Sequence, residues 1–176
     1  MTRILTDLTA VLTTTPPRWN QLTQTFPEDL LRRQPLPGEW SALECLQHFI
    51  DTERSVFLPR VEALLTGKDS FPGYFPDESG TPLSDSVAPA DLAAEFAALR
   101  TENLKLVERI TPADLDRQTT HAELGVVSLS ELLHEWGGHD LMHLVQAEQA
   151  LMQPFIDGCG AWQPYFVKHA ASINPT

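Results

Sequence analysis

His139 and His143 lie four residues apart in a stretch of helical periodicity. Both therefore project from one face, about 6 Å apart along the helix axis. Leu132, Trp136, Ala147 and Ala150 share that face, which should turn inward. Two imidazoles on a core-facing stripe require hydrogen-bond partners or a metal, because an unsatisfied buried polar group costs a few kcal/mol. His48 sits midway along another helical stretch, on a polar strip with Glu44, Cys45, Asp51 and Thr52. Alone it reads as a surface or hydrogen-bonded histidine. Joined to the pair, it completes a set of three ring nitrogens. Such a set suits zinc, nickel or iron, and three protein ligands leave coordination positions open for water or substrate. For His139 and His143, two separately hydrogen-bonded histidines are the competing reading.

A zinc-protease motif is only superficially present. His134 and His139 flank Glu135, but they stand five apart, and H-E-x-x-H requires four to place both on one face. His139-Asp140-x-x-His143 has the spacing but carries Asp where the general base should be Glu. Gly137 and Gly138 are costly within a helix, about 1 kcal/mol each relative to Ala. They point to close approach by a neighbouring helix, or to a pocket opened beside His139. His121, ahead of Glu123 and Gly125, reads as structural or as part of a pocket rim. His134 and His169 have no constellation around them, and Cys45 reads as a buried thiol rather than a ligand.

Four helical stretches must position these residues. The first is divided. Residues 2–13 carry Ile4, Leu5, Leu8, Val11 and Leu12, and Thr15 before Pro16-Pro17 reads as a new N-cap opening a segment to about Thr25. The second begins at a capping box, Ser41 with Glu44, and runs to about Thr66 with a kink expected at Pro59. Residues 67–88, rich in Gly, Pro, Ser and Asp, read as a long functional loop. A third helix spans roughly Pro89 to Ile110, and a fourth starts at the Ser128–Glu131 capping box and runs to about Met152. Nothing reads as a sheet. Phe155, Trp162, Tyr165 and Phe166 then form a segment too apolar for a free tail, expected to pack on the bundle or cover a partner subunit. The fold class is all-α, a four-helix bundle in one domain spanning 1–176, an architecture that builds metal sites from facing helices.

Composition narrows the function. At 176 residues and 42% apolar content the chain can bury a sizeable core, and no apolar run is long enough to span a membrane. The net charge of −12, with twelve dispersed basic residues, argues against a nucleic-acid partner. Two cysteines form no disulfide framework, and Asp7 with scattered threonines interrupts any signal-peptide core, so a cytoplasmic location is expected.

Three stretches together resemble the DinB/YfiT-like superfamily of metalloenzymes. Leu36 to His48 (LPGEWSALECLQH) is similar to the family's entrance to its second helix. His121 to Gly125 and Ser128 to Leu133 are similar to its lead into the last helix, and His139 to Gln146 resembles its H-D-x-x-H-x-x-Q block. The likeness covers roughly residues 2–152 and leaves an extra C-terminal segment. It implies an up-down-down-up bundle, often a homodimer, with a metal on three histidines that correspond here to His48, His139 and His143. Members include transferases and isomerases dependent on low-molecular-weight thiols, and others described as metal-dependent hydrolases.

The expected activity is that of a metal-dependent enzyme on small molecules, such as a thiol-dependent S-transferase in which the metal activates a thiolate. Hydrolysis is the alternative, and a metal- or ligand-binding stress-response protein without turnover is a third reading. Glu44 and Asp51 near His48, and Asp140 near His139, are the candidate proton-handling groups, or else orient the histidines from behind.

Overall fold

The first helix, α1 (Arg3–Thr25), runs unbroken through Pro16 and Pro17, so the expected division at Thr15 does not occur. Proline at position 16 deprives the Leu12 carbonyl of its helical donor. In this computed structural model, which describes residues 3–71 and 73–171, that carbonyl instead accepts from Arg100 Nη1 at 3.1 Å. The Thr15 hydroxyl, which a cap would need, donates back to the Val11 carbonyl at 2.9 Å. Leu5, Leu8, Leu12, Thr15 and Trp19 then form one buried stripe that packs the helix on the bundle. The expected start at residue 2 lies outside the described residues.

Helix α2 comprises Ala42–Thr52, a π-helical turn Glu53–Phe57 and a further α-helical part Leu58–Thr66. Its capping box is complete: Glu44 N–H donates to Ser41 Oγ at 3.2 Å, and Ser41 N–H donates to Glu44 Oε2 at 2.7 Å. Where a kink was expected at Pro59, a π turn stands just before it, which absorbs the missing backbone donor. Helix α3 (Pro89–Val107) ends slightly before the expected Ile110. Helix α4 (Leu129–Gly158) starts at its Ser128 capping box and outlasts the expected Met152, because Gln153 and Ile156 continue its buried face.

Two apolar clusters fix the topology. One joins Leu5, Leu8 and Leu12 of α1 to Val61 and Leu64 late in α2, Val107 at the end of α3, and Leu129 and Leu133 early in α4. The other joins Trp19 to Leu43 and Leu46, Leu92 and Phe96, and Leu144 and Leu151. The start of α1 thus lies beside the start of α4 and the ends of α2 and α3, which is the up-down-down-up arrangement.

The sequence concealed a small sheet. Strands β1 (Ser70–Phe71), β2 (Gln118–His121) and β3 (Gly125–Ser128) lie in the order β1-β2-β3, with β1 parallel and β3 antiparallel to β2. Strands of two to four residues are too short for a period-two pattern to register. Gly125, at a φ of 77°, makes the left-handed turn of the hairpin. The 67–88 segment is accordingly not structureless. It contains β1 and one helical turn, Pro76–Ser79.

Gly160–Phe166 forms a 3-10 turn after α4. Trp162 and Tyr165 are 66% and 76% exposed, so packing of these aromatics on their own bundle is not observed. The last part of that segment, 172–176, lies outside the described residues.

Candidate metal centre

His48 comes from the regular first part of α2, and His139 and His143 from successive turns of α4. His48 Nε2 and His139 Nε2 are 3.0 Å apart. One ring nitrogen from each of the three histidines lies within 4.8 Å of the other two, and the ring centroids are separated by 4.4–5.0 Å. For comparison, tetrahedral zinc with Zn–N bonds of about 2.0–2.1 Å sets its nitrogens about 3.4 Å apart. His48 and His143 are buried, and His139 is partly exposed.

Burial, reinforced by the neighbouring His143, pushes His48 down to about 3. Burial, with His143, His48 and Arg100 adding to it, pushes His139 down to about 2. His143 is lowered mainly by burial, against the pull of Gln146 and Asp140. All three are neutral near pH 7, the form in which imidazole binds a metal. His143 Nδ1 lies 2.7 Å from Gln146 Oε1, an acceptor, so Nδ1 carries the proton and Nε2 keeps its lone pair. Trp40 stacks on His143 at 5.8 Å and leans on His48 at 4.9 Å, limiting the tilt of both rings. The donors fit a divalent ion: three neutral nitrogens converge, and no charged side chain has to be neutralised among them.

The three histidines line one side of a cavity of about 430 Å3 whose other walls include Val56, Phe57, Tyr74, His121, Glu135 and Met142. His121 Nδ1 accepts from the backbone N–H groups of Glu123 and Leu124 at 3.1 and 3.3 Å, so its proton resides on Nε2. It closes the β2–β3 turn and also lines the cavity. Glu135 keeps solvent access at the mouth, yet protein around its carboxyl raises its pKa, with Arg60 opposing and Asp140 adding. The Tyr74 hydroxyl is held above its ordinary value by burial and then by the charge of Asp51. A smaller hollow of about 210 Å3 also borders His48, lined by Glu44, Gln47 and Asp51 with the segment around Thr81.

The three carboxylates singled out in the sequence are each engaged elsewhere. Glu44 closes the α2 cap and receives Gln34 Nε2 at 3.1 Å. Asp51 accepts from Gln47 Nε2 at 3.2 Å and from the Thr81 N–H at 2.7 Å, which ties the 67–88 segment to α2. Asp140 is fully buried and pairs through both oxygens with Arg100, at 2.7 and 2.9 Å. Arg100 also donates to Glu53 at 2.8 Å, and Glu53 receives Asn103 and Trp136 Nε1. Arg100 and Asn103, not among the residues expected to matter, stand on the buried face of α3 with Phe96 and Val107. A charged residue on a core-facing stripe was the available signal. Tyr74 was also missed, and its loop has no periodicity to reveal it.

Gly137 faces α1, where an added Cβ would meet Leu8 Cδ1 at an ordinary 3.5 Å. Gly138 meets nothing and lines an open hollow beside Met142 and His143. Cys45 is buried among apolar side chains, its thiol pushed far up, chiefly by burial.

A sequence profile of the DinB superfamily matches residues 12–147. A protein of Bacillus mycoides (strain KBAB4), named provisionally as a metal-dependent hydrolase, is 25% identical over 118 residues, covering 65% of this chain and 68% of its own. The structure of YfiT from Bacillus subtilis, described as a probable metal-dependent hydrolase with an unusual four-helix bundle topology, superposes with a TM-score of 0.74 at 16% identity. That match covers 88% of this chain and 90% of YfiT. No helix among the described residues is long and apolar enough to cross a membrane.

Proposed function

The chain belongs to the DinB superfamily, and from that premise we propose that it is a metal-dependent hydrolase of small molecules, with a divalent ion held by His48, His139 and His143. The observation that carries this reading is the convergence of three neutral imidazoles on the wall of one cavity. Three protein ligands are the count of a working site, since structural zinc takes four. The cavity volume falls in the range of small-molecule sites. The provisional name of the Bacillus mycoides relative points the same way.

A divalent ion bound there supplies Lewis acidity and lowers the pKa of a coordinated water towards 7. The remaining tasks fall to side chains. Gln146 fixes the His143 tautomer, and Trp40 fixes the ring planes of His143 and His48. Glu135, whose carboxyl pKa is raised chiefly by burial at the cavity mouth, accepts and returns the proton. Asp51 anchors the covering segment through Thr81, and Asp140, ion-paired with Arg100 behind the site, holds α4 in register. In this reading Glu44, Asp51 and Asp140 position the site, and proton transfer belongs to Glu135.

Elemental analysis of tag-free wild type and His143→Ala tests the metal. Near-stoichiometric zinc, nickel or iron in the wild type, lost in the variant, is expected. Hydrolysis of a panel of esters and amides without thiol, set against transfer to a chloro-aromatic electrophile with thiol, tests the reaction. Turnover only with thiol moves the assignment to an S-transferase. A wild-type chain that resists reconstitution overturns both.

A further inference from the structure

The hydroxyl of Tyr74 is buried yet, among the described residues, meets no hydrogen-bond partner. A buried hydroxyl without its bond costs about 1–3 kcal/mol, so its place points to an acceptor that arrives from outside the chain. Two anchors hold the segment that carries it. Phe71 pairs with His121 in the sheet, and the Thr81 N–H donates to Asp51 Oδ2 at 2.7 Å. The tyrosine ring is thereby set 6.1 Å, centroid to centroid, from the ring of His48, on the wall of the cavity that the three histidines share. Several nearby acceptors are already engaged. Asp51 takes Gln47 and Thr81, Gln146 faces His143 Nδ1, and the Nε2 atoms of His48 and His139 face each other. A phenol, with an ordinary pKa of about 10, keeps its proton at neutral pH and is a donor there.

We propose that Tyr74 is a substrate-contacting residue whose O–H donates to the carbonyl oxygen of an ester or amide held at the histidine centre. The inference rests on the hydrolase reading and names the group that its substrate presents. When the oxygen of water bonds to the carbonyl carbon, the C=O π pair moves onto the carbonyl oxygen and the proton of the water passes to Glu135. The hydrogen bond from Tyr74 strengthens as that oxygen becomes negative. Collapse returns the pair, breaks the C–O or C–N bond, and the leaving group departs with the proton from Glu135. Val56, Phe57 and Met142 offer apolar wall to the acyl part.

The test uses the full chain loaded with zinc and compares wild type with Tyr74→Phe by calorimetric titration. Acetohydroxamate presents a carbonyl oxygen at the metal, whereas ethanethiol binds through sulfur, a weak acceptor. Tyr74→Phe is expected to take up zinc and bind ethanethiol as the wild type does, while acetohydroxamate weakens about tenfold. Equal acetohydroxamate affinity in the two proteins overturns the proposal. So does equal weakening of both probes, which would mean a displaced loop, or a zinc-loaded wild type that binds no acetohydroxamate. Failure of the wild type to take up zinc overturns this inference and the hydrolase reading together. The expected affinity pattern without turnover of any ester or amide removes the hydrolase reading alone.

Discussion

His48 and His139 sit at about 3 and about 2, against about 6.5 for a free imidazole, chiefly because burial disfavours the imidazolium. The unfolded chain takes up those protons near pH 6.5, and the native chain does so only far below. Between these limits the unfolded state binds more protons, so the stability of the metal-free protein falls as pH drops from about 6.5 towards 3. Thermal melts of the metal-free chain between pH 7 and pH 4 should therefore lose more in the wild type than in His139→Phe, which lacks one of these groups. Parallel curves would show that His139 does not titrate as its burial dictates. At this scale His139 and His143 were legible by helical spacing, whereas His48, alone a surface or hydrogen-bonded histidine, entered only by being joined to that pair and by the resemblance. Tyr74 was not legible, since an unpartnered hydroxyl is a property of its surroundings.

The capping boxes lie at the element scale. Ser128 accepts the Glu131 N–H at 3.2 Å and Glu131 Oε2 receives the Ser128 N–H at 2.7 Å, so that α4 begins at a fixed residue and His139 and His143 face inward. Ser128→Ala should destabilise the fold by about 0.5–2 kcal/mol in urea denaturation. A change near zero would mean that the hairpin alone fixes the start of α4. Both caps could be read from sequence because their partners are three residues apart. The continuity of α1 could not, because the donor that reaches the Leu12 carbonyl belongs to α3.

Across the whole molecule, the two apolar clusters are separated by a buried charged layer: Arg100 from α3, Glu53 from α2 and Asp140 from α4, with the Leu12 carbonyl of α1. Burial opposes the charge of Arg100, but Asp140 and Glu53 outweigh it and hold the guanidinium above its usual value. Removing the cation alone would strand two buried carboxylates, and such losses cost about 3–5 kcal/mol. Arg100→Met should therefore lose about that much stability in chemical denaturation. A loss below about 1 kcal/mol would show that water or rearrangement compensates. The same layer lies directly behind His139, so the variant also tests how far the bundle's mid-section holds the metal centre.

The sequence by itself determined the four helices, both capped starts, and the shared face of His139 and His143. Each follows from spacing or composition within one segment. Only the tertiary structure decided which residues meet across segments. It brought His48 within 3.0 Å of His139, turned Asp140 towards Arg100, joined three short strands beside the cavity, and laid Tyr74 against His48. These are contacts between residues far apart in the chain. Their energies depend on burial and on partners that no local pattern records.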